Sequence, residues 1–127
     1  MSPVPQLFSA VRGRLIADPA LQEVLATRIY FNLPQRLTYP CVVFGIDAIV
    51  DNNDTCLITF NMQLLSLQQN GAEPLKTAHA MNAALEETMN LNPTTKATCR
   101  KTSMTIDLKQ CEIKQFYQAM VWRNQYD

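Results

Sequence analysis

Glycine is scarce in this chain, three residues in 127, and histidine occurs once. That poverty reaches most of the ingredients of an active site. A phosphate cradle needs backbone N–H groups gathered around glycines, and the sequence holds no glycine-rich phosphate loop, no Gly-x-Ser-x-Gly elbow and no His-Glu-x-x-His pair. The single histidine, His79, sits beside Ala78 at the edge of an apolar helical stripe, a place for a structural or solvated imidazole. Glu86 and Glu87 are adjacent on the expected helix and so point about 100° apart, which suits solvation better than shared acid–base work. The expectation is a protein that is not an enzyme, with no catalytic, cofactor-binding or metal-binding residues.

Other absences narrow the class. No apolar run comes near the roughly eighteen residues that a membrane-spanning helix requires. The opening Met1-Ser2-Pro3-Val4-Pro5 has neither the basic nor the apolar region of a secretory signal. Charge of either sign is not in excess: eleven basic residues balance eleven acidic ones. A dedicated nucleic-acid binder would show a basic surplus, whereas neutrality removes the repulsion that keeps copies apart and so favours self-association. The four cysteines, Cys41, Cys56, Cys99 and Cys111, form no Cys-x-x-Cys pair, and three fall in apolar strand patterns. They read as free, buried thiols of a reducing compartment rather than a disulfide or metal framework.

What is present is a long hairpin from Tyr39 to Leu67. Pro40 to Val50 is almost wholly apolar, and Asp51-Asn52-Asn53-Asp54 makes a polar turn. In Cys56 to Leu67, Cys56, Ile58, Phe60, Met62 and Leu64 alternate with Thr59, Asn61 and Gln63, the period of a half-buried strand. Helices flank it. Pro3 to Ala17 carries Val4, Leu7, Phe8, Val11 and Leu15 on one stripe, with Ser2 as the expected cap; Asp18-Pro19 then restarts the chain into a short piece bearing Leu21, Val24 and Leu25. Arg28 to Phe31 reads as a short strand or arm. In the proline-bounded loop that follows, Tyr30, Phe31, Leu33, Leu37 and Tyr39 either fold back onto the core or mark a contact surface.

Beyond the turn signal Asn70-Gly71, a helix is expected from about Ala72 to Asn90, with Leu75, Ala78, Met81, Leu85 and Met89 inward and Asn92-Pro93 as its stop. Ala97 to Leu108 follows as a polar strand with Thr98, Thr102, Met104, Ile106 and Leu108 on one face, then a turn over Asp107 to Gln110. The closing strand has Ile113, Tyr117, Ala119 and Val121 on one face and Phe116, Met120 and Trp122 on the other, as in a central strand or one that meets a partner chain. Lys96, Arg100, Lys101 and Lys109 form a modest basic patch, either a solvated ribbon face or a contact with a negatively charged partner or DNA. Trp122 and Tyr126 either anchor an interface or close the core. The sum is one α+β domain over residues 1–127. Its sheet is mainly antiparallel, of four to five strands, with two principal helices on one face, in the order α-β-β-β-α-β-β.

Several pieces of this order resemble the tail-completion (tail terminator) proteins of long-tailed bacteriophages, prophages and gene transfer agents. Arg28-Ile29-Tyr30, Leu33-Pro34-Gln35 and Pro40-Cys41-Val42-Val43-Phe44 are similar to the family's "r-i-y" strand, proline loop and proline-opened apolar strand. Thr59-Phe60-Asn61-Met62-Gln63-Leu64 stands where the family has "v-Q-i-d-v", and the helix with Ala78 and Leu85 where it has "A…l…v…l". Phe116 to Trp122 matches a closing "y-r-a-x-v-d-f" strand. The chain departs from the family in the first hairpin turn, where Asp51 to Asp54 replaces a glycine or Asp-Gly, and in a less acidic glutamine-bearing strand. The resemblance implies a non-catalytic structural protein. It would form a homo-hexameric ring that caps the head-proximal end of the tail tube and meets head–neck connector proteins, with DNA only as passing cargo, no cofactor and no membrane. It would work in the bacterial host cytoplasm during assembly and then in the finished particle; a neighbouring neck component shares the same logic, and a small cytosolic ligand-binding α+β domain is the remaining alternative. Ring subunits need two different complementary patches. The candidates are the aromatic arm with Phe31, Arg36 and Tyr39, the turn Asp51, Asn52, Asn53 and Asp54, and the C-terminal Trp122 and Tyr126.

Overall fold

The computed structural model describes residues 3–67 and 72–123. Within them lie three helices, α1 (Val4–Ala17), α2 (Pro19–Leu25) and α3 (Ala72–Ala84). Six strands accompany them: β1 (Ile29–Tyr30), β2 (Cys41–Asn52), β3 (Thr55–Leu65), β4 (Met89–Asn92), β5 (Thr95–Asp107) and β6 (Glu112–Arg123). They form one sheet in the order β1-β2-β3-β6-β5-β4, with β1 parallel to β2 and every other pair antiparallel. The α+β class is as expected. The sheet is mainly antiparallel but mixed, through its parallel β1–β2 pair; it has six strands rather than four to five and is covered by three helices rather than two.

The extra strand comes from an early helix stop. The expected helix to Asn90 ends at Ala84, and Met89 is buried as the first residue of β4 instead of closing the helical stripe. Leu85 and Glu86 donate their N–H groups three residues back, to Asn82 and Ala83, which tightens the last turn. Glu86 and Glu87 then fall at the negative end of the helix dipole, where carboxylates oppose continuation. They are exposed, and they are not neighbours on a helix. Asn92 closes β4 and Pro93-Thr94 is the turn of a small hairpin, with Asn92 Oδ1 accepting from the N–H and hydroxyl of Thr94.

A second correction concerns β5. Its register with β6 shifts between Lys101 and Ser103, so one residue is extra on that strand and the side-chain alternation changes phase. Cys99 faces Ala119, Met104 faces Gln115 and Ile106 faces Ile113, all on the core side. Thr98 therefore lies on the opposite face from Met104 and Ile106, contrary to the unbroken alternation expected.

At the helical start the chain behaves as its residues dictate. The cap position of α1 falls at Pro3, and Ser2 lies outside the described residues, as does the Asn70-Gly71 turn. Asp18 Oδ1 accepts from the N–H groups of Ala20 (2.9 Å) and Leu21 (3.2 Å), capping α2 while Pro19 fills its first position. Leu7, Val11 and Leu15 of α1, Leu21 and Leu25 of α2, and Ala78, Met81 and Leu85 of α3 are all buried against the same sheet face. Burial of side chains this size stabilises by about 1.5–3 kcal/mol each relative to exposure. Through that face runs an aromatic series: Phe44 stacks on Phe60 at 4.8 Å and Phe60 on Tyr117 at 5.2 Å, tying β2, β3 and β6 together.

Candidate assembly surfaces

The arm between β1 and β2 is held from beneath by arginines. Arg12 donates to the carbonyls of Ile29 (3.2 Å) and Thr27 (3.1 Å), and Arg28 to those of Pro40 and Val24, both at 2.8 Å. Phe31 packs edge-on to Phe8 at 5.2 Å and lies 5.7 Å from Phe44, so half of this side chain belongs to the core. Leu33 (63% exposed), Tyr39 (37%) and Arg36 face outward. Phe31 thus folds partly back onto the core, while Leu33, Arg36 and Tyr39 stand exposed. A cleft of about 390 Å³ between arm and α3 is lined largely by apolar groups, including Val24, Tyr39, Pro40 and Leu64, with Glu73 as its charged side chain.

At the other end of β2, strand pairing continues to Asn52 and Thr55, so Asp51 and Asn52 are strand residues and the turn itself is Asn53-Asp54. The four-residue turn expected at Asp51 to Asp54 is therefore two residues long, with Asn53 in the left-handed region at φ 34°. Asp51, Asn53, Asp54 and Trp122 line a common cleft of about 250 Å³ with Arg123. The structure thus gathers the turn and the C-terminal aromatic at one corner and leaves Phe31, Arg36 and Tyr39 at the opposite end of β2. Tyr126 lies outside the described residues.

The sheet face away from the helices carries a polar row. Asn61 Nδ2 donates to Asp47 Oδ1 at 2.9 Å, Gln63 Nε2 to Glu112 Oε1 at 2.6 Å and Arg100 Nη2 to Gln118 Oε1 at 3.0 Å, while the Lys114 ammonium lies 5.4 Å from the Phe116 ring centre. Gly45 makes room for this row, since a Cβ there would come 3.3 Å from the Asn61 amide. Beside it, Val50, Leu57 and Met120 stand opposite one another, with Val50 and Met120 about half exposed. Sequence reasoning found the polar alternation of Asn61 and Gln63 but not Asp47, which sits at the β2 register shift between Ile46 and Ala48. Nor did it find the sheet's open borders. β1 flanks only Val42 and Val43, and β4 flanks only residues 95–97, so on the side away from β3 and β6 respectively Ile46–Asn52 and Thr98–Asp107 have no strand partner among the described residues. No local signal marks such an edge; it follows from the lengths of distant strands.

All four cysteines are free thiols. Burial pushes Cys99 up to about 12 and raises Cys41 and Cys56, so these sulfurs stay protonated and weakly nucleophilic at neutral pH. Burial likewise raises the Tyr117 hydroxyl, which has no hydrogen-bond partner among the described residues. His79 is exposed on α3. Among the described residues no three His, Cys, Asp or Glu side chains gather as a metal site, and no helix is long and apolar enough to cross a membrane.

What fold and surface define is a small α+β domain with two clefts at opposite ends of β2. The chain belongs to the tail completion protein gp17 family, whose model matches residues 9–114, and it is thus a phage tail structural protein. Its fold is similar to that of a chain in the virion of a native gene transfer agent particle, with a TM-score of 0.69, 14% identity and 96% of each chain covered. No curated protein matches the sequence.

Proposed function

We propose that the whole chain, residues 1–127, is a tail terminator that forms a homo-hexameric ring on the head-proximal end of the tail tube, stops the tube's growth and joins it to the head–neck connector. The family match over residues 9–114 carries this reading. A ring of identical subunits needs two unlike patches on each copy; in this reading the hairpin end of β2 is one of them, and the outward arm at the opposite end of β2 meets the tube or the connector. In this reading the protein is not an enzyme and needs no cofactor, DNA passes through the ring as cargo, and assembly takes place in the host cytoplasm before the protein resides in the finished particle.

The arm gives the test. Arg36→Ala with Tyr39→Ala removes two outward side chains, so the variant should keep its circular dichroism spectrum and melting temperature. Particles assembled with it should carry overlong tails or headless tails in electron micrographs. Tails of normal length joined to heads would remove the arm from the function. A ring seated on the portal rather than on the tube would make the protein the neighbouring neck component instead.

A further inference from the structure

The net charge of zero conceals a division. The β2–β3 hairpin, Cys41–Leu65, holds Asp47, Asp51 and Asp54 and no lysine or arginine. The β5–β6 hairpin, Thr95–Arg123, holds six basic residues against Asp107 and Glu112. The two open borders of the sheet fall one in each hairpin and at diagonal corners. Ile46–Asn52 of β2 is free at the end where β4 covers β5; Thr98–Asp107 of β5 is free at the end where β1 covers β2.

We propose that, in the ring inferred above and on which this step rests, the acidic end of the β2–β3 hairpin of one copy seats against the free run of β5 in the next copy. Charge is the first argument. Asp51 and Asp54 are exposed at the hairpin end, with Arg123 the one basic side chain lining their cleft. Arg100 and Lys109 are exposed along the free run and turn of β5, where Asp107 is already occupied by the N–H groups of Lys109 and Gln110. Apolar surface is the second. Ile49 (46% exposed) and Val50 (51%) stand on the two faces of the free β2 run, and Ile106 (46%) and Leu108 (54%) at the far end of β5 and in the turn after it. Unpaired edges are templates for another chain. Because these two differ and lie on opposite corners, one copy cannot satisfy itself, and the contact runs head to tail. The register shifts at Asp47 and Thr102 leave short regular stretches, Ala48–Asn52 and Ser103–Asp107, so side-chain charge selects the partner more than a long backbone ladder does.

Charge reversal in the full chain tests this. Two variants are made, Asp51→Lys with Asp54→Lys, and Arg100→Glu with Lys109→Glu, all four residues being exposed. Ring formation is followed by sedimentation velocity and electron microscopy, with and without isolated tail tubes. Each variant alone should fold but need at least about tenfold more protein to assemble. An equimolar mixture should restore rings, since acidic and basic edges then alternate around them; misfolded variants would not recover on mixing. Rings formed equally well by the separate variants, or no recovery in the mixture, would overturn the edge pairing while leaving the ring reading intact. Rings that persist in the Arg100→Glu variant but no longer retain DNA would assign the basic run to nucleic acid and overturn it too. A wild-type chain that makes no ring even on tubes would sink the ring reading itself, and the pairing with it.

Discussion

The two large hairpins of this sheet are close in length, and they do opposite work. β3 contributes Cys56, Ile58, Phe60, Met62 and Leu64 to the core, whereas β5, one residue or more longer than any other strand, contributes a fully buried side chain only at Ala97. The β2–β3 hairpin is apolar along its length and acidic at its end; the β5–β6 hairpin anchors itself through β6 and leaves β5 polar and basic. The difference teaches that the buried side chains are concentrated on β3 and β6, which lie side by side along a seam from Thr55–Trp122 to Leu65–Glu112. The outer strands are then free to vary their surface chemistry.

The sharpest way to break that comparison is to empty the seam. Phe60→Ala removes the ring between Phe44 and Tyr117 and should cost about 3–5 kcal/mol in denaturant unfolding, enough to unfold a marginal domain. Phe116→Ala, on the same pair of strands but facing away from the helices, should cost below about 1.5 kcal/mol. Equal losses would mean that the helix-free face is also packed in the isolated chain.

A smaller effect separates the hairpins by pH. The Cys99 thiol is raised from 9.0 to about 12, so between those values the folded chain holds a proton that the unfolded chain has lost. Stability should therefore be flat below about pH 9 and fall as pH rises, by on the order of 1 kcal/mol at pH 10 for this group alone. Tyr117 adds to the fall in the same direction at higher pH, and Cys41 and Cys56 add on the other hairpin. Urea titrations at pH 7 and 10 should show the slope reduced in Cys99→Ala; an unchanged slope would place the sensitivity elsewhere. Smallest is Tyr117→Phe, which deletes a buried hydroxyl without a partner among the described residues and should leave stability unchanged or raise it by about 1 kcal/mol.

Much of this was legible from the residues. Periodicity gave β3, β6 and α1, and the Asp18-Pro19 pair gave the restart into α2, because each signal acts within one turn or one strand. The strand β4 was not legible, because Leu85 and Met89 continue a helical spacing in sequence and only the unfavourable Glu86-Glu87 end hints that the helix stops. The β5 face was misjudged because a single extra residue at Thr102 flips the alternation, and nothing in Lys101-Thr102-Ser103 announces it. Of the candidate contact residues, the outward Arg36 and Tyr39 and the shared cleft of Asp51, Asp54 and Trp122 emerged only with the fold, since clustering depends on strands far apart in the chain.

The scarcity of glycine has a consequence for heat tolerance. Among the described residues three backbone positions have positive φ, Ala26 at φ 52°, Asn53 at 34° and Cys111 at 53°, and none is glycine. Asparagine tolerates that geometry, but alanine and cysteine hold a Cβ against it at about 1–3 kcal/mol each. One of these residues links α2 to β1 and the other closes the β5–β6 turn, so neither belongs to the core. The melting point of this small subunit thus has headroom in its connections, open to two single-residue changes that would leave the packed interior and the outward faces as they are.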